Sequence, residues 1–318
     1  MGPTAVILAA GLGTRLRPLT YQVPKPLFPI LNRPLLGLLL AQLAAAGFAR
    51  VAINTHHQGE AIREFVAAHA PRHLEILVRH EPVILGTGGA LKNLEDFLGP
   101  DPFVVINADI FTDIDLKTLL PAHQPEAWAT LLLHDYPRFN TVWLDSTGAV
   151  RGFGTPPGPE VIPPLAFTGI HIVSPRLLAL MPAGGFVNII DTYRQAIAAG
   201  ARIVGAVRSG FFWQDIGTPG DYLDLHRRLL RGEVPTMLPA LGPLTDPYLG
   251  PGVVLGRGVQ FGGGVCVGAD VEVADGVCLR HTVIWSGAKI SAGVRLENCI
   301  VGQNVLVTAS AQGECLVA

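Results

Sequence analysis

Over the last quarter of the chain, apolar residues return every six positions. Leu249, Leu255, Phe261, Val267, Val273 and Leu279 stand six apart, the series resumes after a five-residue step at Ile284, Ile290 and Leu296, and after another at Val301 and Val307. A second small apolar residue follows most of them four positions later, as at Val253, Val259, Val265, Val271 and Val277. This period is the signature of a parallel β-helix, in which each hexapeptide forms one side of a coil. One coil cannot bury its own apolar line, so the repeats must stack. Residues 249–318 therefore read as one short solenoid.

The preceding chain has a different texture. Short aliphatic runs at Thr4–Ala9, Arg50–Asn54, Leu74–Val78, Phe103–Asn107, Thr130–Leu133, Thr168–Val173 and Ile203–Val207 predict strands. Leu35–Ala46, Gly59–His69 and Ala90–Leu98 predict helices between the early ones. That alternation implies βαβ units, an α/β domain built on a mainly parallel sheet with helices on both faces. Pro235, Pro239, Pro243, Pro247 and Pro251 recur every four residues and exclude a helix. The expected organisation is a first domain over 1–232, an extended linker over 233–248 and the solenoid over 249–318. A length of 318 residues suits such a division.

Composition excludes several classes of function. Hydrophobic residues make up 49% and charged residues 15% of the chain, with a formal net charge of −2. A disordered chain would be less apolar, and a general nucleic-acid binder would be basic. The longest apolar stretch, Pro34 to Ala49, is interrupted by Gln42 and is shorter than the ~20 residues that span a bilayer. No basic segment precedes the first apolar run, so a signal peptide is not expected. The four cysteines, Cys266, Cys278, Cys299 and Cys315, show no C-x-x-C spacing and read as reduced thiols. A cytoplasmic protein that engages neither membrane nor nucleic acid is expected.

The first predicted strand runs directly into Gly11-Leu-Gly-Thr-Arg-Leu-Arg-Pro-Leu-Thr20. Gly11 and Gly13 permit a sharp turn that presents backbone N–H groups to an anion. The loop lacks the Gly-Lys-Ser/Thr of a Walker motif and the third glycine of a dinucleotide fingerprint. The first carboxylate of the chain is Glu60, whereas Arg15, Arg17, Lys25, Arg33 and Arg50 all precede it. Unpaired positive charge beside a glycine turn suits a triphosphate. Lys25 sits between Pro24 and Pro26, a rigid mounting that a solvated lysine does not need. Asp109 closes the Phe103–Asn107 run, at the carboxyl end of a strand where parallel sheets bind ligands. Asp215 lies between Phe211-Phe-Trp-Gln and Ile-Gly-Thr-Pro, where a carboxylate calls for a cationic partner.

Taken together, Gly11–Thr20, Pro24-Lys-Pro-Leu27, Gly86-Thr-Gly-Gly-Ala-Leu91, Asn107-Ala-Asp109, Phe167-Thr-Gly-Ile170 and Trp213-Gln-Asp-Ile-Gly-Thr-Pro219 resemble the motifs of the sugar-1-phosphate nucleotidylyltransferases. The resemblance covers residues 4–230. It implies the Rossmann-like nucleotide-diphospho-sugar transferase fold, and it implies that the solenoid is a left-handed β-helix with three hexapeptides per coil. The implied reaction is attack by a sugar-1-phosphate on the α-phosphorus of an NTP, with release of pyrophosphate. By resemblance, Arg15 would steady the β- and γ-phosphates, and Lys25 would bridge the α-phosphate and the sugar phosphate. Asp109 and Asp215 would hold Mg²⁺. Ala10, Gly11, Gly13, Thr14, Glu81, Gly86, Thr87 and Gly88 would bind the nucleotide, and Asn140, Thr168 and Gly169 the sugar.

Two positions depart from the family pattern. Ala108 stands where many relatives have Gly or Ser. The Glu-Lys-Pro that commonly precedes the Thr-Gly strand is missing from Arg151-Gly-Phe-Gly-Thr-Pro-Pro-Gly, which leaves Lys25 or Arg151 for the sugar phosphate. Mannose-1-phosphate with GTP leads the expected substrates, with glucose-1-phosphate or N-acetylmuramate-1-phosphate and UTP or dTTP as alternatives. A catalytically silent regulatory subunit is disfavoured because Arg15, Lys25, Asp109 and Asp215 are all present. His281, alone in the solenoid, makes a histidine-dependent acyltransferase a poor reading. His56-His57 reads as a loop after the second strand. The solenoid is expected to assemble copies of the chain into a homo-oligomer.

Overall fold

The chain is described here by a computed structural model covering every residue except Met1, 159–160 and 235–243. Its first part is built on a nine-stranded sheet. Thr4–Leu8 lies between Arg50–Thr55 and Phe103–Asn107, parallel to both, and Glu75–His80 extends the parallel portion. Leu165–Val173 then pairs antiparallel with Phe103–Asn107 and carries Ala129–His134 and Asn140–Leu144. One apolar layer lies on each face of the sheet. Both sides of a strand such as Ala5-Val6-Ile7 are therefore buried, which is why it reads as a continuous apolar run.

The apolar stretch that raised the membrane question is the helix Leu35–Ala45. Leu36, Leu39, Leu40 and Leu43 pack on the sheet, while Leu35 and Leu38 face a second core on the far side. A helix sandwiched in this way has no polar face to show. Gly47, at φ 85°, terminates it in the left-handed conformation. Among the described residues, no helix is long and apolar enough to cross a membrane.

The hexapeptides form three parallel faces, with strands at every repeat. Leu249 lies beside Val267, Val267 beside Ile284, Ile284 beside Val301 and Val301 beside Leu316. The two five-residue steps are corners where His281 and Asn298 take positive φ, at 46° and 52°. The coil interior is filled by Val265, Val267, Val271, Val273, Leu279, Ile284 and their equivalents. The first face packs on the α/β domain. Cys266, Val283, Ile300 and Trp285 share a core with Leu16, Leu19, Phe28, Leu35 and Tyr222. Trp285 donates its indole N–H to the Tyr222 hydroxyl at 3.1 Å, and Asn32 donates its amide to the Val267 carbonyl at 2.9 Å. The solenoid thus buttresses the segment that follows the glycine loop.

Several elements differ from expectation. The predicted helix Ala90–Leu98 starts earlier and breaks in two, Gly86–Asn93 and Glu95–Leu98. Glycine disfavours a helix, but here the Gly88 and Gly89 amides are held by the Val187 carbonyl, at 2.8 and 3.2 Å. The hairpin Asn140–Leu144 and Val150–Phe153 and the helices Ile189–Ala198 and Pro219–Leu230 went unpredicted. The proline-rich segment falls largely on 235–243, outside the described residues. Its last residue, Tyr248, already belongs to the first solenoid strand, Tyr248–Leu249.

Candidate active site

The glycine loop leaves the sheet at the end of its central strand. Asn54, at the end of the neighbouring strand, accepts the Ala9 N–H at 2.9 Å and so fixes where the loop begins. Gly13 adopts φ 59°, and a Cβ there would stand 2.8 Å from the Thr20 methyl. The turn Thr14–Leu16 follows, with Leu16 fully buried as an anchor and Arg15 directed the other way. Lys25 opens the turn Lys25–Leu27, whose Pro26 is buried. Its side chain is only 12% exposed, and Nζ lies 2.5 Å from Oδ2 of Asp109.

Asp109 sits between two strands, Phe103–Asn107 and Ile110–Thr112. The second of these pairs antiparallel with Trp213–Asp215, setting Asp215 opposite Ile110. The Ile216 N–H donates to the Asp109 carbonyl at 3.0 Å. Two carboxylates far apart in sequence thereby become neighbours. Burial pushes the Asp215 carboxyl above its ordinary range, and the negative charges of Asp109 and Asp221 push it further. Lys25 and Arg138 oppose that rise. Gly217 completes the cluster, since a Cβ there would stand 2.6 Å from Asp215 Oδ2 and 3.1 and 3.2 Å from the two terminal nitrogens of Arg15. Lys25, Asp109, Asp215 and Arg15 therefore converge.

Beside them opens a cavity of about 570 Å³. Ala10, Gly11, Gly13, Thr14, Arg15, Lys25, Gly86, Thr87 and Asp109 line it, as expected from the sequence. Gly88 lies just behind, its amide spent on Val187. Glu81 is fully buried, accepting from Asn54 Nδ2 at 2.8 Å and from the Leu85 N–H at 3.0 Å. It braces the loop that leads to Gly86 and does not face the cavity. The three sugar candidates also lie off the cavity wall. The Thr168 hydroxyl donates to the Leu132 carbonyl, and Gly169 packs on Asn107. Asn140 ties the 135–140 loop together through the Tyr136 N–H and Asp135. Arg151 lies 3.9 Å from Asp145, in the turn that joins the two hairpin strands, and does not line the cavity.

Other cavity residues were not foreseen. Asn54, Asn107, Phe167, His171, Phe186 and Asn188 line it too. Asn54 and Asn107 both end apolar strands at the ligand-binding edge of the sheet, a signal the sequence did carry. His171 hydrogen-bonds Tyr193 at 2.5 Å, and burial lowers its pKa to about 3, so the ring is neutral. His56 and His57 lie in the loop after the second long strand, His56 on the Glu81 carbonyl and His57 on the Thr20 carbonyl. Asp115 caps a short turn, and Asp113 accepts the Phe212 N–H. Among the described residues no group of three His, Cys, Asp or Glu side chains forms a metal cage. Two hard carboxylates crowded together do suit a divalent cation that takes its other ligands from phosphate and water.

A glycine loop, two cations and paired carboxylates at the edge of a mixed α/β sheet define an enzyme that handles nucleoside phosphates. The comparisons agree: the profile of the nucleotidyl transferase family matches residues 4–232, and the chain belongs to that family. The mannose-1-phosphate guanylyltransferase of Mycobacterium tuberculosis is 30% identical, over 92% of this chain and 82% of that protein. The UTP–glucose-1-phosphate uridylyltransferase of Synechocystis is 31% identical, over 72% of this chain and 64% of that protein. The crystal structure of HddC from Yersinia pseudotuberculosis has the same fold, with a TM-score of 0.60 at 24% identity, over 71% of this chain and 98% of that one.

Proposed function

We propose that the protein transfers a nucleotidyl group from an NTP to a sugar-1-phosphate, and that its preferred pair is GTP and mannose-1-phosphate. The observation that carries the reading is the convergence of Arg15, Lys25, Asp109 and Asp215 beside the glycine loop. A phosphate oxygen of the acceptor attacks the α-phosphorus, the bond to the bridging oxygen breaks, and pyrophosphate leaves with both electrons of that bond. The nucleophile is already an anion, so no enzyme base and no covalent intermediate is needed. The protein must offset the repulsion between two polyanions and hold them in line. Arg15 lies at the glycine turn and neutralises the leaving pyrophosphate. Lys25 is mounted on its two prolines between the loop and Asp109, where it meets the α-phosphate and the acceptor phosphate. Asp109 and Asp215 would hold Mg²⁺, which supplies Lewis acidity to the phosphate oxygens when bound.

The choice of mannose and guanine rests on similarity to the mycobacterial relative, which aligns along both parts of the chain. In this reading residues 1–232 are catalytic, 233–248 connect, and 249–318 assemble copies of the chain, all in the cytoplasm. Pyrophosphate release, measured with Mg²⁺, each of the four NTPs and a panel of sugar-1-phosphates, tests the proposal. Turnover fastest with GTP and mannose-1-phosphate is expected. A faster UTP and glucose-1-phosphate reaction overturns the substrate assignment, and no turnover with any pair overturns the reaction.

A further inference from the structure

The three faces of the solenoid differ in what they show outward. The first is buried on the α/β domain. The third presents Gln260, Cys278 and Arg295, a largely polar row. The second presents Val254, Glu272, Lys289 and Leu306 in consecutive coils, each aligned beside the next. The two apolar ends of this row are open to solvent, Val254 at 60% and Leu306 at 64% exposure. Between them Lys289 and Glu272 pair at 2.8 Å while more than half exposed. A lone surface pair of this kind adds little to stability. The order apolar, acid, base, apolar is instead self-complementary on reversal.

We propose that this face docks a second copy of the chain about a twofold axis that runs parallel to its strands, between the Glu272 and Lys289 coils. The inference rests on the assembly role read for the solenoid and names the surface that performs it. Rotation about that axis sets Val254 of each copy against Leu306 of the other. It sets each Glu272 against the other copy's Lys289. Every charge in the resulting square then has only opposite charges as neighbours. The other in-plane twofold, along the solenoid axis, would oppose Glu272 to Glu272 and Lys289 to Lys289 and is disfavoured by repulsion. Gly256, Ala274 and Ser291 run in register beside the row and let a partner backbone approach. Four rungs at about 4.8 Å spacing make a small interface, so the dimer should form and dissociate with concentration.

Sedimentation velocity of the full chain over a wide concentration range tests this. The native protein should shift from monomer toward dimer as concentration rises, and Leu306→Asp should weaken association at least tenfold. Glu272→Lys and Lys289→Glu should each weaken it to a similar extent when alone. Mixed in equal amounts they should associate again, because position 272 of one then meets the opposite charge at position 289 of the other. Unchanged far-ultraviolet circular dichroism and pyrophosphate release in each variant separate loss of docking from loss of fold. Oligomers that persist in both single variants would overturn this face while leaving assembly through another surface. A native chain that stays monomeric throughout would overturn assembly itself, and single variants that fail to associate on mixing would overturn the axis.

Discussion

Gly217→Ala isolates the geometry of the site from the stability of the fold. Gly217 does not take a positive φ, so alanine can adopt its backbone conformation. Its new methyl would stand 2.6 Å from Asp215 Oδ2 and 3.1 Å from the nearer Arg15 nitrogen. Carbon contacts settle near 3.5 Å, so the carboxylate must retreat by about 0.9 Å or swing to another rotamer. The atoms in the way are the far ends of two side chains, which can move at little cost to the rest of the protein. A carboxylate that holds a cation has no such latitude, since ligand distances are fixed to about 0.2 Å. Misplacement by about 1 Å costs on the order of 10²-fold in rate. We therefore expect kcat/KM for pyrophosphate release to fall about 10²-fold, with a melting temperature unchanged or slightly raised by the stiffer unfolded chain. Gly220→Ala is the control, because a Cβ there meets only the Thr218 hydroxyl at 3.8 Å. Activity within about threefold of native in Gly217→Ala would refute the placement of Asp215 and Arg15 at the reacting centre.

Three further outcomes follow from the same structure. Lys25→Ala should lower kcat/KM by on the order of 10²–10³, as removal of one preorganised charge does, and a loss below tenfold in the pyrophosphate assay would mean its role is misassigned. Trp285→Ala should cost about 3–5 kcal/mol in urea unfolding, because it empties a fully buried position against Phe28 and removes the bond to Tyr222; a cost below 1 kcal/mol would refute the interlock of solenoid and α/β domain. His226 is fully buried with its pKa lowered to about 4 by desolvation, while in the unfolded chain it titrates near 6.5. The unfolded state takes up the proton first, so this group's contribution is full above about pH 7 and is lost at up to about 1.4 kcal/mol per unit from there toward pH 4, and the buried His171 adds a loss of the same sign. Urea midpoints that stay level between pH 7 and pH 5 would contradict a neutral, buried His226.

Much of the fold was legible because its periods are local. The hexapeptide phase survives two five-residue steps, and the strands pair in the register that phase requires. The all-apolar strands declared a sheet covered on both sides. Gly86-Thr-Gly-Gly is a counterexample: its composition argues for a loop, yet it forms the first turn of a helix whose free amides are taken by the Val187 carbonyl packed against it. Glu81 shows a similar limit at the site. Resemblance to the family assigns this carboxylate to the nucleotide, yet its oxygens are taken by Asn54 and the Leu85 amide.

What the sequence determined by itself was chemistry and local shape. The glycines at 11 and 13, the prolines around Lys25 and the absence of any carboxylate before Glu60 already specify a basic turn of the kind that suits phosphate. Those features depend on backbone torsions and charge, which neighbouring residues set. Tertiary structure decided everything that depends on distance. No spacing reveals that Asp109 and Asp215 meet at the end of one two-stranded ladder, or that Gly217 leaves room for Asp215 and Arg15 together. Nor does spacing reveal that Glu272 and Lys289 would alternate in sign across a twofold axis. Electrostatic energy varies with separation in space, and separation along the chain carries no measure of it.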